Sequence, residues 1–296
     1  MQWRRFVVTA PAPASEAICG IMQELFGGLS VTEADGGLEH SGYMSLKADH
    51  ETAYQALVTA LQRIPEELAP PEQIAISSGT VDEQDWAESW KEFYRPIRVS
   101  ERLVIVPPWR PWPDPDSEAR PGPDDIVIRI EPGMAFGTGC HATTRLCMEA
   151  LEAYVEPGAR VIDFGCGSGI LTVTACMLGA GEVLALDMDP VCVEVTRQNV
   201  AKSGVAERCR VQLAESLAGV GESADLIVAN VTAPVVLAEV GNAAGLLGPG
   251  GHYVSSGFTD RSEDEIGSRI RAAGMVVVAS HDEGEWRCVT AAKEDT

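Results

Sequence analysis

The segment Val161–Pro190, VIDFGCGSGILTVTACMLGAGEVLALDMDP, restricts the fold more than any other stretch of the chain. The apolar run Arg160–Phe164 ends in a glycine cluster, Gly165, Gly167 and Gly169. A helix-like run, Ile170–Leu178, follows. A second apolar run, Glu182–Leu186, then ends in Asp187. This is a β-loop-α-β unit with a glycine turn in its first loop and a carboxylate at the tip of its second strand. Glycines let the main chain come close to a ligand, the helix N-terminus faces it, and the acid accepts two ribose hydroxyls. The unit therefore holds an adenosine-containing cofactor. Its loop is GxGxG, with Ile170 where a dinucleotide fingerprint wants a third glycine, so the loop alone does not name the cofactor. Asp187 lies 22 residues beyond Gly165, close to the spacing of a ribose-binding acid. Asp189 reads as the N-cap of a helix opened by Pro190, and Asp163 as an organiser of the loop through accepted backbone N–H bonds.

From Glu131 onward the pattern alternates. Helix is expected over 143–155, 169–178, 190–203, 234–247 and 262–273. Strand is expected over 160–164, 182–187, 209–214, 224–231, 251–256, 275–281 and 286–292. This is an α/β domain in which helices cover a mostly parallel sheet. Within it, Val191, Val193 and Val195 alternate like a strand, but Pro190 and the need for a crossover favour a helix.

Residues 1–81 form a pattern of their own. Trp3–Thr9 reads as a strand, and Ser15 is placed to cap a helix whose Ile18, Ile21, Met22 and Leu25 share one face. Two short strands follow, Leu29–Glu33 and Tyr43–Lys47. A second helix over about 51–64 carries Ala53, Leu57, Ala60, Leu61 and Ile64 inward, and Gln73–Ser78 offers a last strand. The order βαββαβ predicts a ferredoxin-like α+β domain, and with no catalytic cluster in it, the domain reads as recognition or scaffold. Residues 82–130 read as a connecting region. In it Trp86, Trp90 and Phe93 mark a linker helix whose stripe packs on a domain, Arg98–Val106 and Ile126–Ile130 are strands, and the Pro- and Asp-rich stretch 107–125 is a flexible surface loop.

The 296 residues carry 44 acids against 22 Lys and Arg, a formal charge of −22. Bare nucleic acid would be repelled, so no direct nucleic-acid binding is expected; a basic partner and simple solubility both suit the charge. No run of 18 apolar residues suggests a membrane span. The eight cysteines form no CxxC pair and the five histidines do not cluster with them, so no metal site is expected. Cysteines within apolar elements imply a reducing compartment, and the chain reads as cytoplasmic.

Two further clusters bear on chemistry. Glu131–Thr144, EPGMAFGTGCHATT, crowds Gly137, Thr138, Gly139, His141, Thr143 and Thr144 just ahead of an apolar helix, more polar and glycine positions than a cap requires. His141 suits loop structure better than a general base. Asn230, after the apolar run Leu226–Val228, ends a parallel strand where such sheets bind ligands, although a strand-end turn asparagine is also common.

Taken together, PGMAFGTGCHATT, VIDFGCGSGIL, LALDMDP and LIVANVTAPVVL resemble the PrmA family, S-adenosylmethionine-dependent methyltransferases of the large-subunit ribosomal protein numbered eleven. The resemblance extends to DWAESWKEFYRPIRVSERLVIVPPW upstream and to LGPGGHYVSSG and EGEWRCVTAAK downstream, most of residues 82–292. Ala142 stands where the family usually has Pro, Asn230-Val231-Thr232-Ala233 where NILA is common, and the 107–125 loop looks long. The resemblance implies a class I methyltransferase domain with a Rossmann-like sheet over 131–296 and substrate recognition by 1–81. It implies methyl transfer to α-amine and lysine amines of a basic ribosomal protein. It places Gly165, Gly167 and Gly169 under S-adenosylmethionine, Asp187 on its ribose, and Thr144 with Thr138 at its methionine end. Asn230 then sits where methyl donor and acceptor amine meet. A lysine methyltransferase of another protein and a non-catalytic cofactor-binding adaptor are the alternative readings.

Overall fold

A computed structural model describes residues 2–26, 29–34, 37–45, 48–65, 67–82, 95–131, 139 and 141–294. The chain divides into two compact units, Met1–Tyr94 and Arg95–Thr296.

The first unit is a four-stranded antiparallel sheet with two helices. β1 (Gln2–Ala10), α1 (Ser15–Phe26), β2 (Leu29–Ala34), β3 (Gly37–Ser45), α2 (His50–Leu61) and β4 (Ala75–Asp82) follow in order, and the sheet runs β2-β3-β1-β4. This is the expected ferredoxin-like arrangement. Alternate residues of β1, Phe6 and Val8, meet Ile18 and Met22 of α1 and Leu57 and Leu61 of α2 in one core. Asp49 caps α2 by accepting from Thr52 N at 3.1 Å. Ser15 is not the expected cap. The chain enters α1 through a 3-10 turn, Ala12–Ala14, and the Ser15 hydroxyl instead lies 2.8 Å from Nε2 of the buried His40.

The second unit holds two sheets. A small one joins β5 (Ile97–Arg98), β6 (Leu103–Val106) and β7 (Ile126–Arg129), with β5 antiparallel and β7 parallel to β6. The expected single strand 98–106 is thus a hairpin, because Ser100 Oγ accepts from the N–H of Leu103 at 2.9 Å and turns the chain. The 107–125 stretch is an organised loop rather than a flexible one. Asp125 accepts from Arg98 at 2.9 Å, from the Trp112 indole at 3.0 Å and from Gly122 N at 2.9 Å. Leu103, Ile105, Ile128 and Ile130 belong to the core of this unit, so the described part of the connecting region packs as part of it. The stripe Trp86, Trp90 and Phe93 lies outside the described residues.

The large sheet has seven strands in the order β10-β9-β8-β11-β12-β14-β13. In chain order it uses α3 (Ala142–Tyr154), β8 (Arg160–Phe164), α4 (Ile170–Met177), β9 (Glu182–Asp187), α5 (Pro190–Lys202), β10 (Cys209–Leu213), β11 (Ala224–Asn230), α6 (Ala233–Leu246), β12 (Leu247–Thr259), α7 (Asp260–Ala272), β13 (Met275–Glu283) and β14 (Trp286–Lys293). The pairs among β8 to β12 are parallel, and β14 runs antiparallel to β12 and β13. Strand pleating splits the core. Val161, Val183, Val228 and Val254 face α3, α4 and the small sheet, whereas Ile162, Leu184, Ile227 and Tyr253 face α6 and α7. The alternating valines after Pro190 are helical. Asp189 caps α5, accepting from Val191 N at 2.8 Å, and burial falls at Val193, Thr196, Asn199 and Val200, the helical period.

Strand order reverses between β8 and β11, whose Phe164 and Ala229 are register partners. Their C-terminal ends open the crevice in which sheets of this kind bind ligands.

Candidate active site

The glycine loop leaves β8 at this crevice. Gly165, Gly167 and Gly169 all have positive φ, at 77°, 53° and 80°, so the loop can turn without the steric cost an L side chain would meet. Space is tight as well: a Cβ on Gly165 would stand 2.3 Å from Val231 Cγ1, and one on Gly169 would stand 2.9 Å from Thr196 Cγ2.

The loop is pinned from several sides. Gly165 N and Cys166 N donate to the carbonyl of Leu186 at 2.8 and 3.0 Å. Gly167 N donates to Asp187 Oδ2 at 2.9 Å. From α5, Thr196 Oγ1 donates to the Gly167 carbonyl at 3.0 Å, and Asn199 Nδ2 to the Ser168 carbonyl at 2.9 Å. Thr196 and Asn199 were not singled out in the sequence. Their signal is a pair of polar residues three apart on the face of α5 that also carries Val193 and Val200.

Asp187 is 9% exposed, and its second oxygen accepts from Asp189 N at 2.9 Å. A carboxylate accepts about four hydrogen bonds, so one backbone donor per oxygen leaves capacity for two hydroxyls. Asp187 therefore takes the loop-organising role expected of Asp163. Asp163 accepts the Thr172 hydroxyl at 2.6 Å and holds the first turn of α4 instead. Its Oδ1 is buried without a hydrogen-bond partner among the described residues. Burial pushes this carboxyl up to about 7, against the Thr172 bond and with help from the charge of Asp187.

Asn230 ends β11, one residue beyond the Phe164–Ala229 register pair. Its Nδ2 lies 3.4 Å from Oγ1 of the buried Thr144, and its Oδ1 is buried with no partner among the described residues. The next residue, Val231, is wedged in place. Its N–H donates to the Ser256 carbonyl at 3.1 Å, and a Cβ on Gly257, where φ is 93°, would stand 2.3 Å from its carbonyl oxygen. Val231 thus fills the space left by two glycines, and this fixes the end of β11.

His141 caps α3, with Nδ1 2.8 Å from Thr143 Oγ1 and 3.3 Å from Thr143 N. Its ring meets Trp286 edge-on at 4.6 Å. Burial, then the Arg145 charge, hold its pKa below the ordinary histidine value, with Glu283 opposing. The geometry is that of loop structure. Gly139 sits over Ile105 and Ile170 with φ at 89°. Thr138 lies outside the described residues. Glu239, a lone acid on α6, was also not singled out. It accepts from Ser216 Oγ at 2.7 Å and Leu217 N at 2.9 Å, and so anchors the segment after β10.

These features suit an adenosylated sulfonium ligand. The glycine loop opens at the crevice, a strand-tip carboxylate keeps capacity for a diol, and Asn230 Oδ1 and Asp163 Oδ1 are buried without a hydrogen-bond partner among the described residues. Residues 2–294 match the family described as ribosomal protein L11 methyltransferase (PrmA). The chain belongs to that family. A ribosomal protein L11 methyltransferase of Pelotomaculum thermopropionicum is 37% identical over 98% of this chain and 99% of its own length. That of Symbiobacterium thermophilum is 44% identical over 72% of this chain and 67% of its own. A crystal structure of the ribosomal protein L11 methylase of Lactobacillus delbrueckii subsp. bulgaricus superposes with a TM-score of 0.59 at 31% identity, covering 68% of this chain and 100% of that one. The second unit is accordingly a class I methyltransferase domain, and S-adenosylmethionine is the cofactor of this PrmA-family enzyme.

Proposed function

We propose that this enzyme methylates amines of ribosomal protein L11, the N-terminal α-amine and lysine side chains, in the cytoplasm. The observation that carries the reading is Asn230 Oδ1, buried beside the glycine loop without a hydrogen-bond partner among the described residues. Bound there, S-adenosylmethionine supplies a methyl group already activated on a sulfonium. Gly165, Gly167 and Gly169 hold the cofactor along the main chain, Asp187 accepts its ribose hydroxyls, and Thr144 with Thr138 borders its methionine end.

What remains for the protein is alignment and exclusion of water. The attacking amine must be neutral. An α-amine with a pKa of about 7.7–8.0 supplies a useful neutral fraction, while a lysine at about 10.4 needs more help. Asn230 Oδ1 accepts an N–H of that amine and aims its lone pair. Being uncharged, it does so without holding the amine protonated as a carboxylate would. Thr144 keeps the amide oriented by taking its Nδ2. His141, already engaged at Nδ1 with Thr143, serves the loop rather than proton transfer.

The formal charge of −22 complements a basic ribosomal protein. The ferredoxin-like unit is assigned to holding that substrate. Intact-mass measurement of L11 incubated with the enzyme and S-adenosylmethionine tests the proposal: L11 should gain methyl groups. An unmodified L11, with a different band labelled by the radioactive cofactor in a cell extract, would assign the enzyme to another protein. Tightly bound cofactor with no labelled protein would make it an adaptor.

A further inference from the structure

Away from the cofactor loop the structure brings two thiols together. Cys176 lies in the last turn of α4 and Cys209 opens β10, and their sulfurs are 3.2 Å apart. Both are free thiols; Cys176 is buried and Cys209 half-buried. The neighbouring Arg208 is fixed in place, donating to the carbonyls of Cys176 at 2.9 Å and Ala180 at 3.1 Å. The hydrogen bond from Cys209 holds the Cys176 thiol below its ordinary range, with Arg208 adding to the effect against burial. Cys209 is raised in turn, chiefly by the same bond. Of the two sulfurs, Cys176 is therefore the one that gives up its proton more readily. Three other thiols differ. Burial pushes Cys192 up to about 11 and raises Cys166, and a bond with Cys288 raises Cys147. A thiolate with a second sulfur in reach is the arrangement that oxidises selectively.

We propose that Cys176 and Cys209 are an oxidant-sensitive dithiol that closes to an intramolecular disulfide on exposure to hydrogen peroxide, stapling the ribose side of the cofactor cradle. The Cys176 thiolate attacks a peroxide oxygen, the O–O bond breaks, and hydroxide leaves to become water. The sulfenic acid so formed is attacked by the Cys209 sulfur. The S–S bond forms, the S–O bond breaks, and the departing hydroxide takes the Cys209 proton as a second water. Two thiols are oxidised and one peroxide is reduced. The sulfurs need close only from 3.2 Å to the ~2.05 Å of a disulfide. The covalent loop then encloses β9 with Asp187 and α5 with Thr196 and Asn199, three side chains that pin the glycine loop.

The test uses the full chain treated with hydrogen peroxide and then freed of it. Intact mass under non-reducing conditions should fall by two hydrogens and recover with dithiothreitol, and a non-reduced peptide map should join the peptides of Cys176 and Cys209. The oxidised chain should melt roughly 5–10 °C higher, as a loop of this length constrains the unfolded state. Cys209→Ser should not lose the hydrogens and should instead expose a Cys176 sulfenic acid to dimedone. Cys209→Ala repeats the test if the serine variant changes the circular dichroism spectrum. An unchanged mass, a gain of oxygen without a crosslink, or a crosslink between other cysteines would overturn the dithiol. A crosslink with no rise in melting temperature would overturn the staple.

Discussion

Asn230 Nδ2 lies 3.4 Å from Thr144 Oγ1, tying the end of β11 to the first turn of α3. The bond leaves Asn230 Oδ1 without a hydrogen-bond partner among the described residues, and in the proposed function the pair acts as a unit in aiming the amide. Asn230→Ala should lower kcat about 100-fold, the scale set by loss of near-attack geometry, while cofactor affinity changes far less. Thr144→Val should lower kcat roughly tenfold, about 1.4 kcal/mol in barrier, and Thr144→Ser should restore most of it. Single-turnover kinetics with calorimetric cofactor titration separates the two quantities. Equal loss of both in Asn230→Ala would remove the positioning role.

Gly165 faces a different constraint. Its φ of 77° and the 2.3 Å approach to Val231 Cγ1 act together. Gly165→Ala should cost about 1–2 kcal/mol for the left-handed backbone alone, more for the clash, and weaken cofactor binding strongly. Adding Val231→Ala should recover the steric part but not the backbone part. Thermal melts and cofactor titration of the single and double variants measure the split; a double variant no better than Gly165→Ala would deny the contact.

Asp163 gives a pH signature. Its carboxyl is raised to about 7 from 3.8, so the folded state holds a proton that the unfolded state has already lost. The stabilisation from this proton is fully present below about pH 4 and is lost as pH rises through about 7. Asp163→Asn keeps an acceptor for Thr172 but does not titrate. Its stability relative to the parent chain should rise by about 2–3 kcal/mol between pH 5 and pH 8. Urea unfolding at the two pH values reads the difference directly, and a constant difference would mean Asp163 does not titrate in that range.

Asp187 holds Gly167 N and Asp189 N at 2.9 Å each. Removing it should therefore damage the loop and the proposed ribose contact together. Asp187→Ala should weaken cofactor binding by about 100-fold and destabilise the domain by about 1–3 kcal/mol, the cost of stranded donors. Affinity loss without loss of stability would show that the backbone bonds are dispensable.

The recognition role proposed for the first unit has its own measurement. A chain of residues 95–296, which carries its own cores, should bind cofactor normally but fail to methylate intact L11. Undiminished methylation would place substrate recognition in the second unit.

The parts legible in the sequence were those governed by local rules. Glycines with positive φ, a strand-tip acid and the 3.6-residue and 2-residue periods gave the β-loop-α-β unit, and Asp189 before Pro190 gave the helix start. Other features depended on contacts between distant segments. Which acid would brace the glycine loop, Asp163 or Asp187, depends on how β8 and β9 pair, because one lies a residue before the end of its strand and the other at the end. Asp125 organises its long loop through Arg98 and Trp112 as well as the nearby Gly122 N, and the sequence does not place the first two beside it. Ser100, first of the polar residues Ser100-Glu101-Arg102, turns the chain by accepting from the N–H groups of Arg102 and Leu103, a local side-chain effect that strand periodicity does not carry. Asn230 and Thr144 stood out only as polar residues at element ends; their mutual contact belongs to the tertiary fold.

The bracing of the glycine loop by Leu186, Asp187, Thr196 and Asn199 has a thermodynamic consequence. These bonds are made when the chain folds, so the entropy of ordering the loop is lost then and not again on binding. Cofactor titration should accordingly show little penalty for conformational ordering at this loop. Amide exchange at residues 165–169 should already be slow in the cofactor-free enzyme and change little when the site fills.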